Sequence, residues 1–97
     1  MKIDKTPPEP TDSIERPYGT LRYAMDDKRI FLCETVVTDA RLVEELTAIA
    51  RGMGLPVWAL AKTKAQAQFL QDNGFLPVEQ VAKTGLAMLW RARDPLF

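Results

Sequence analysis

Ala67-Gln68-Phe69-Leu70-Gln71-Asp72-Asn73-Gly74-Phe75 is the stretch on which the reading of this 97-residue chain turns. Its start is marked just upstream, where Thr63-Lys64-Ala65-Gln66 has capping-box spacing. A hydroxyl at the first position and an amide side chain three residues later can each satisfy a backbone group that the first helical turn leaves open. Its end is marked by Asn73-Gly74, since glycine enters the left-handed conformation that stops a helix without a Cβ clash. Ala67, Phe69 and Leu70 can face a sheet from this helix. The stretch predicts a helix followed at once by a strand.

Working outward toward the C-terminus, Phe75 to Val81 and Leu86 to Arg91 are parted by Ala82-Lys83-Thr84-Gly85 and predict a closing hairpin. In the other direction, Leu55 to Leu60 is short, apolar and preceded by a glycine, with Pro56 at its start, which reads as a strand. Before it, Leu42, Leu46, Ile49, Ala50 and Met53 recur at three- and four-residue spacing behind Thr38 or Asp39 as N-cap, and Gly52 and Gly54 end the helix. Ile30 to Val37 carries apolar residues on both faces apart from Glu34 and Thr35, as a strand buried on both sides would. A strand, a helix and a strand in that order imply parallel neighbours. Leu21, Tyr23 and Met25 alternate ahead of the polar Asp26-Asp27-Lys28-Arg29 break, which predicts a hairpin.

The predicted order is β-β-α-β-α-β-β, an α+β domain over residues 18–93 with a mixed sheet and two helices. Pro7, Pro8, Pro10 and Pro17 fall in a segment almost without apolar side chains. Residues 1–17 are therefore expected to be an extended arm, polyproline-like from Thr6 to Thr11, with a turn at Asp12 to Glu15. Residues 94–97 form a tail whose Leu96 and Phe97 could fold back on the sheet or insert into a neighbour.

Composition sets limits on function. Hydrophobic residues make up 46% and charged ones 27%, with thirteen basic against thirteen acidic side chains. That is globular composition without the basic excess a nucleic-acid reader needs, so no nucleic-acid partner is expected. No 18-residue apolar run and no signal-peptide pattern occur, so the expected location is cytoplasmic or within a virion, with no membrane partner. One cysteine, Cys33, cannot form an intrachain disulfide. The absence of histidine removes the commonest metal ligand and the usual general base, so no metal site is expected and Cys33 has no partner to activate it. Cys33 is expected as a buried small hydrophobe, and Met25, Met53 and Met88 as gap-fillers in the core. Trp58 and Trp90 are core residues, or one of them is an exposed anchor for a partner.

The element order, centred on the helix that leads into Gly74-Phe75, resembles the C-terminal half of the GNAT N-acetyltransferase family over roughly residues 19–91. Gly74-Phe75 is the most specific match. The resemblance implies an acetyl-CoA site, with the pyrophosphate held by a glycine-containing loop and the N-terminus of the first helix. At the family's Asn this chain has Thr63, and at its general-acid Tyr it has Leu70. Val36-Val37 runs almost directly into Thr38-Asp39-Ala40-Arg41 without a glycine, and Asp39 sets a carboxylate where the pyrophosphate belongs. Thr38, Asp39, Ala40 and Arg41 are the remaining coenzyme candidates. Glu34 is the one catalytic candidate, a base by analogy with some family members, or simply a strand carboxylate paired with Arg22 or Arg29. In length and in what it lacks, the chain is similar to the reduced acetyltransferase-like proteins of short-tailed bacteriophages.

The reading that follows is a non-catalytic, GNAT-like module that works by protein contact without a cofactor, such as a phage virion or assembly component. A minimal acetyl-CoA-dependent N-acetyltransferase and a small inhibitor of a host protein are the alternatives. Its partner is expected to be a protein, a larger assembly or another copy of the chain. Contacts are expected from the arm (Pro7, Pro8, Pro10, Ile14, Pro17), from an edge strand at Gly19 to Met25 through Leu21 and Tyr23, and from Leu96 and Phe97. Half of a GNAT sheet leaves an edge where the missing strands would pair, and such edges are normally covered or exploited.

Overall fold

A computed structural model describes residues 9–33, 39–81 and 85–92. Strands β1 (Asp12–Arg16), β2 (Gly19–Met25) and β3 (Ile30–Leu32) come first, followed by helix α1 (Ala40–Met53) and strand β4 (Val57–Ala61). Helix α2 (Lys64–Asp72) and strands β5 (Leu76–Val81) and β6 (Gly85–Trp90) complete the domain. The strands form one sheet in the order β1-β2-β3-β4-β6-β5. β3 and β4 are parallel and every other neighbouring pair is antiparallel.

Register sorts the side chains onto two faces. Ile14 lies opposite Leu21, Tyr23 opposite Leu32, Ile30 opposite Val57 and Ala59 opposite Met88. All of these belong to one buried cluster with Leu42, Val43, Leu46 and Ala50 of α1 and Leu70 of α2. Burying each large aliphatic side chain of that cluster stabilises the fold by roughly 1.5–3 kcal/mol. The crossovers β3-α1-β4 and β4-α2-β5 run in the same direction across the sheet, and such crossovers are right-handed, so both helices cover the same face.

The helix boundaries follow the caps read from the sequence. Asp39 is the N-cap of α1, and Gly54, at φ 71°, closes its far end by donating to the Ala50 and Arg51 carbonyls. The helix thus runs through Gly52, and Met53 at its last position is 58% exposed and outside the core. Thr63 caps α2 by accepting from Gln66 N–H at 3.1 Å. Leu70 and Gln66 are the buried residues of α2, while Ala67 and Phe69 pack against the core only in part. Met88 is buried, and Cys33, expected in the core, is only half-buried at the end of its strand.

The N-terminal expectation needs correction. The sequence predicts a turn at Asp12 to Glu15, and the structure has a strand there, joined to β2 through Pro17-Tyr18. A single apolar residue, Ile14, gives too weak an alternation to announce a strand, but β2 offers it a template and α1 covers it, leaving Ile14 5% exposed. β2 is consequently an interior strand and not the sheet's edge. Ile14, Leu21 and Tyr23 are buried in the core and do not form the contact surface expected of them. Pro10 and Pro17 are exposed, whereas Pro7, Pro8, Leu96 and Phe97 lie outside the described residues.

Candidate functional site

The N-terminal end of α1 gathers five polar side chains from three places in the chain. Asp39, extended at φ −114° and ψ 115°, accepts Arg41 N–H at 2.9 Å, and its backbone carbonyl accepts Leu42 N–H at 3.1 Å. The same carboxylate takes the Arg41 guanidinium through Nε at 3.0 Å and Nη2 at 2.7 Å. That guanidinium lies 3.7 Å from the centroid of the Tyr18 ring, delivered by the β1–β2 turn. The Tyr18 hydroxyl donates to Glu45 Oε2 at 3.0 Å, and Glu45 in turn accepts both Nε and Nη2 of Arg16. The result is a continuous strap from β1 to the first turns of α1.

Charge follows geometry here. Arg41, first through its side-chain hydrogen bonds, holds the Asp39 carboxyl below the usual carboxylate range, and Arg16 does the same for Glu45. At the β2–β3 turn, Lys28 and Arg29 N–H groups at 2.7 and 2.9 Å lower Asp26 likewise. A carboxylate depressed in the folded state contributes stability that is present above its unfolded value and lost as pH falls through its folded value. The melting temperature should therefore be flat from pH 7 to about pH 5 and decline below it, where unfolded carboxylates begin to protonate. Circular dichroism melts across that range check this, and a melting temperature that rises on acidification contradicts it.

Among the described residues, this helix end differs in its chemistry from the expected diphosphate cradle. One of its free N–H groups, that of Arg41, already has a carboxylate, and the adjacent cation, the Arg41 guanidinium, is held by that carboxylate and stacked on Tyr18. No glycine occurs between Gly19 and Gly52 to let an anion approach the backbone. Of the coenzyme candidates, Asp39, Ala40 and Arg41 are brought together at the start of α1. Thr38 lies outside the described residues, as does Glu34, the catalytic candidate. Among the described residues no three His, Cys, Asp or Glu side chains are grouped to hold a metal, and no helix is long and apolar enough to cross a membrane.

The sheet's second face carries a different feature. Ala24, Phe31, Trp58, Leu89 and Leu76 are successive cross-strand partners, so an apolar row crosses five of the six strands. No helix among the described residues covers it. Trp58 is half-buried there, while Leu76 and Val78 at the β5 end are 60% and 51% exposed. Trp90, by contrast, is a core residue whose ring faces the Arg51 guanidinium at 5.5 Å. Sequence reasoning missed Arg16, Tyr18 and Glu45. Arg16 and Tyr18 flank Pro17, and reading Pro17-Tyr18 as a hairpin turn would have placed both beside the first helix.

No family model matches the chain, and no curated protein matches it in sequence. Among solved structures, the crystal structure of the anti-CRISPR protein AcrVA5 matches with a TM-score of 0.65 over 81% of this chain and 96% of that one, at 21% sequence identity. At this identity the likeness concerns the fold. Over its described residues the chain has a GNAT-like α+β fold, with one mixed six-stranded sheet and two helices on a single face.

Proposed function

We propose that this protein is a GNAT-like module that works by protein contact, without acetyl-CoA, and that it inhibits its partner. One observation carries the reading: the helix end that a coenzyme diphosphate would need carries the protein's own Asp39 carboxylate, locked to an Arg41 that stacks on Tyr18. Catalysis by acetyl transfer needs a bound and oriented thioester, and these residues keep their cation engaged with Asp39 instead of offering it to the diphosphate. The apolar row through Trp58 supplies what a contact module needs instead, a band of aromatic and aliphatic side chains on a rigid sheet.

Between a virion component and an inhibitor, the likeness to AcrVA5 favours the inhibitor. A CRISPR effector protein is accordingly the first partner to test. Calorimetric titration with acetyl-CoA should be silent at millimolar coenzyme. Purified effectors should include one that forms a stoichiometric complex and loses nuclease activity, with Trp58→Ala weakening that complex at least tenfold. Micromolar acetyl-CoA binding would overturn the non-catalytic reading, and a Trp58→Ala variant that binds its partner unchanged would remove the sheet face from it.

A further inference from the structure

The two edges of the sheet are not alike. On β5, Pro77 has no N–H to offer and the pairing with β6 is broken by a register shift between Pro77 and Glu79. Proline and bulges are the ordinary devices by which an edge refuses another strand. β1 has neither. It is a regular five-residue strand, and no described strand lies on its outer side.

The hydrogen bonds of β2 show which β1 groups point outward. Cys33 N–H donates to the Arg22 carbonyl, so Arg22 faces β3, and Thr11 N–H donates to the Tyr23 carbonyl, so Tyr23 faces β1. Leu21 then also faces β1, because alternate residues of a strand point the same way. Its partner Ile14 therefore bonds inward, and the backbone groups of Ser13 and Glu15 are the ones left at the edge. The Glu15 carbonyl is capped by Arg16 Nη1 at 2.8 Å.

We infer that the β1 edge pairs with a second copy of this chain, antiparallel and centred on Ile14, joining two six-stranded sheets into one. In that register Ser13 lies opposite Glu15 of the other copy: the Glu15 N–H donates to the Ser13 carbonyl, and the Ser13 N–H shares the Glu15 carbonyl with Arg16 Nη1, since a carbonyl oxygen has two lone pairs. Asp12 lies opposite Arg16 of the other copy on the helix-covered face, twice by symmetry. Asp12 is available for this, and it would share Arg16 with Glu45 and the Glu15 carbonyl. Among the described residues its carboxylate has only the Thr11 hydroxyl, at 3.1 Å, and no cation. Opposite charges directly across an antiparallel pair are stabilising and like charges are not.

The sequence selects this register over its neighbours. Centring on Glu15 sets two Glu15 side chains face to face and brings Pro17, which lacks an N–H, opposite Ser13. Centring on Ser13 places Asp12 against Ile14 and brings Pro10 opposite Arg16. A two-fold pairing also closes on itself, whereas joining β1 to the guarded β5 edge of another copy would propagate without end. A contact of five residues on each side is small, so the dimer belongs to the weak class and forms at high micromolar chain concentration.

Sedimentation velocity and native mass spectrometry on a concentration series of the full chain test this. The wild-type chain should dimerise. Ser13→Pro removes one outward N–H without touching the β1–β2 ladder, and it should raise the dissociation constant at least tenfold with the melting temperature kept. Asp12→Lys and Arg16→Glu should each be monomeric alone, and their mixture should form the heterodimer. In it the introduced lysine of one chain meets the introduced glutamate of the other, and the unchanged Arg16 of the first meets the unchanged Asp12 of the second. A chain that stays monomeric at millimolar concentration overturns the inference. So does a dimer indifferent to Ser13→Pro and Asp12→Lys, which would place the contact on the Trp58 face. Neither outcome bears on acetyl-CoA binding, so this inference and the proposed function stand or fall separately.

Discussion

Gly85→Ala should destabilise the protein by about 3 kcal/mol or more, which for a domain of this size corresponds to a fall of roughly 15 °C in melting temperature. Gly85 opens β6, the strand inserted between β4 and β5, and its φ is +124°. A Cβ built there would stand 2.3 Å from the Ala61 carbonyl oxygen and 3.1 Å from the Ala61 carbonyl carbon. Both obstacles are backbone, at the end of β4, so no side chain can rotate away. The strand must either shift and break its pairing with Ala61 through Leu86, or accept a conformation that side chains rarely adopt. Gly52 is the matched control. It lies in α1 with ordinary φ, and a methyl added to it would meet nothing within 4 Å, so Gly52→Ala should stabilise by about 0.5–1 kcal/mol. Scanning calorimetry on the two variants checks the pair. A Gly85→Ala loss below about 1 kcal/mol would mean that β6 can move off β4, against the sheet order that defines the fold.

How far the sequence could be read depended on how local each signal was. Caps and helical spacing are local, and Asp39, Thr63, Asn73 and Gly74 mark the helices within a residue or two. The parallel β3–β4 pair followed from the crossover rule alone. β1 escaped because its signal is tertiary. In Asp12-Ser13-Ile14-Glu15-Arg16 only Ile14 is apolar, and nothing local reveals that β2 lies alongside and α1 above. Missing β1 then misplaced the sheet's edge by one strand and assigned Leu21 and Tyr23 to a surface they do not reach. The candidate site shows the same division. The Asp39 cap was legible from spacing, while the Tyr18–Arg41 stacking and the Arg16–Glu45 pair join residues 23 and 29 positions apart and needed the fold. The apolar row through Phe31 and Trp58 was hidden for a related reason: each strand contributes only one or two members, and cross-strand register is invisible in a linear reading.

Phe75→Ala should cost about 3–5 kcal/mol, the usual range for removing a fully buried phenyl ring. Phe75 is the largest fully buried side chain among the described residues, with no exposed surface. Its N–H donates to the Leu70 carbonyl at 3.0 Å, immediately after Gly74 takes φ +93°, so the ring is carried into the core by the very turn that ends α2. Losing that much from a domain whose whole stability is about 5–15 kcal/mol should leave a substantial unfolded fraction at 37 °C. Phe75→Leu keeps most of the volume and should lose less than half as much. Urea unfolding gives both values, and a Phe75→Ala loss under about 1 kcal/mol would show that the site collapses around the missing ring. The result reaches beyond stability. Gly74-Phe75 is the most specific point of resemblance to the acetyltransferase family, and here it serves packing: a glycine that reverses the chain and a ring that fills the space beneath it. Residues of that kind serve the fold and not one particular chemistry. The residues that would have to touch a coenzyme are under no such constraint. In this chain the corresponding helix end carries an acidic cap and an arginine captured by it, with no glycine between Gly19 and Gly52, so likeness of fold does not by itself carry the coenzyme chemistry.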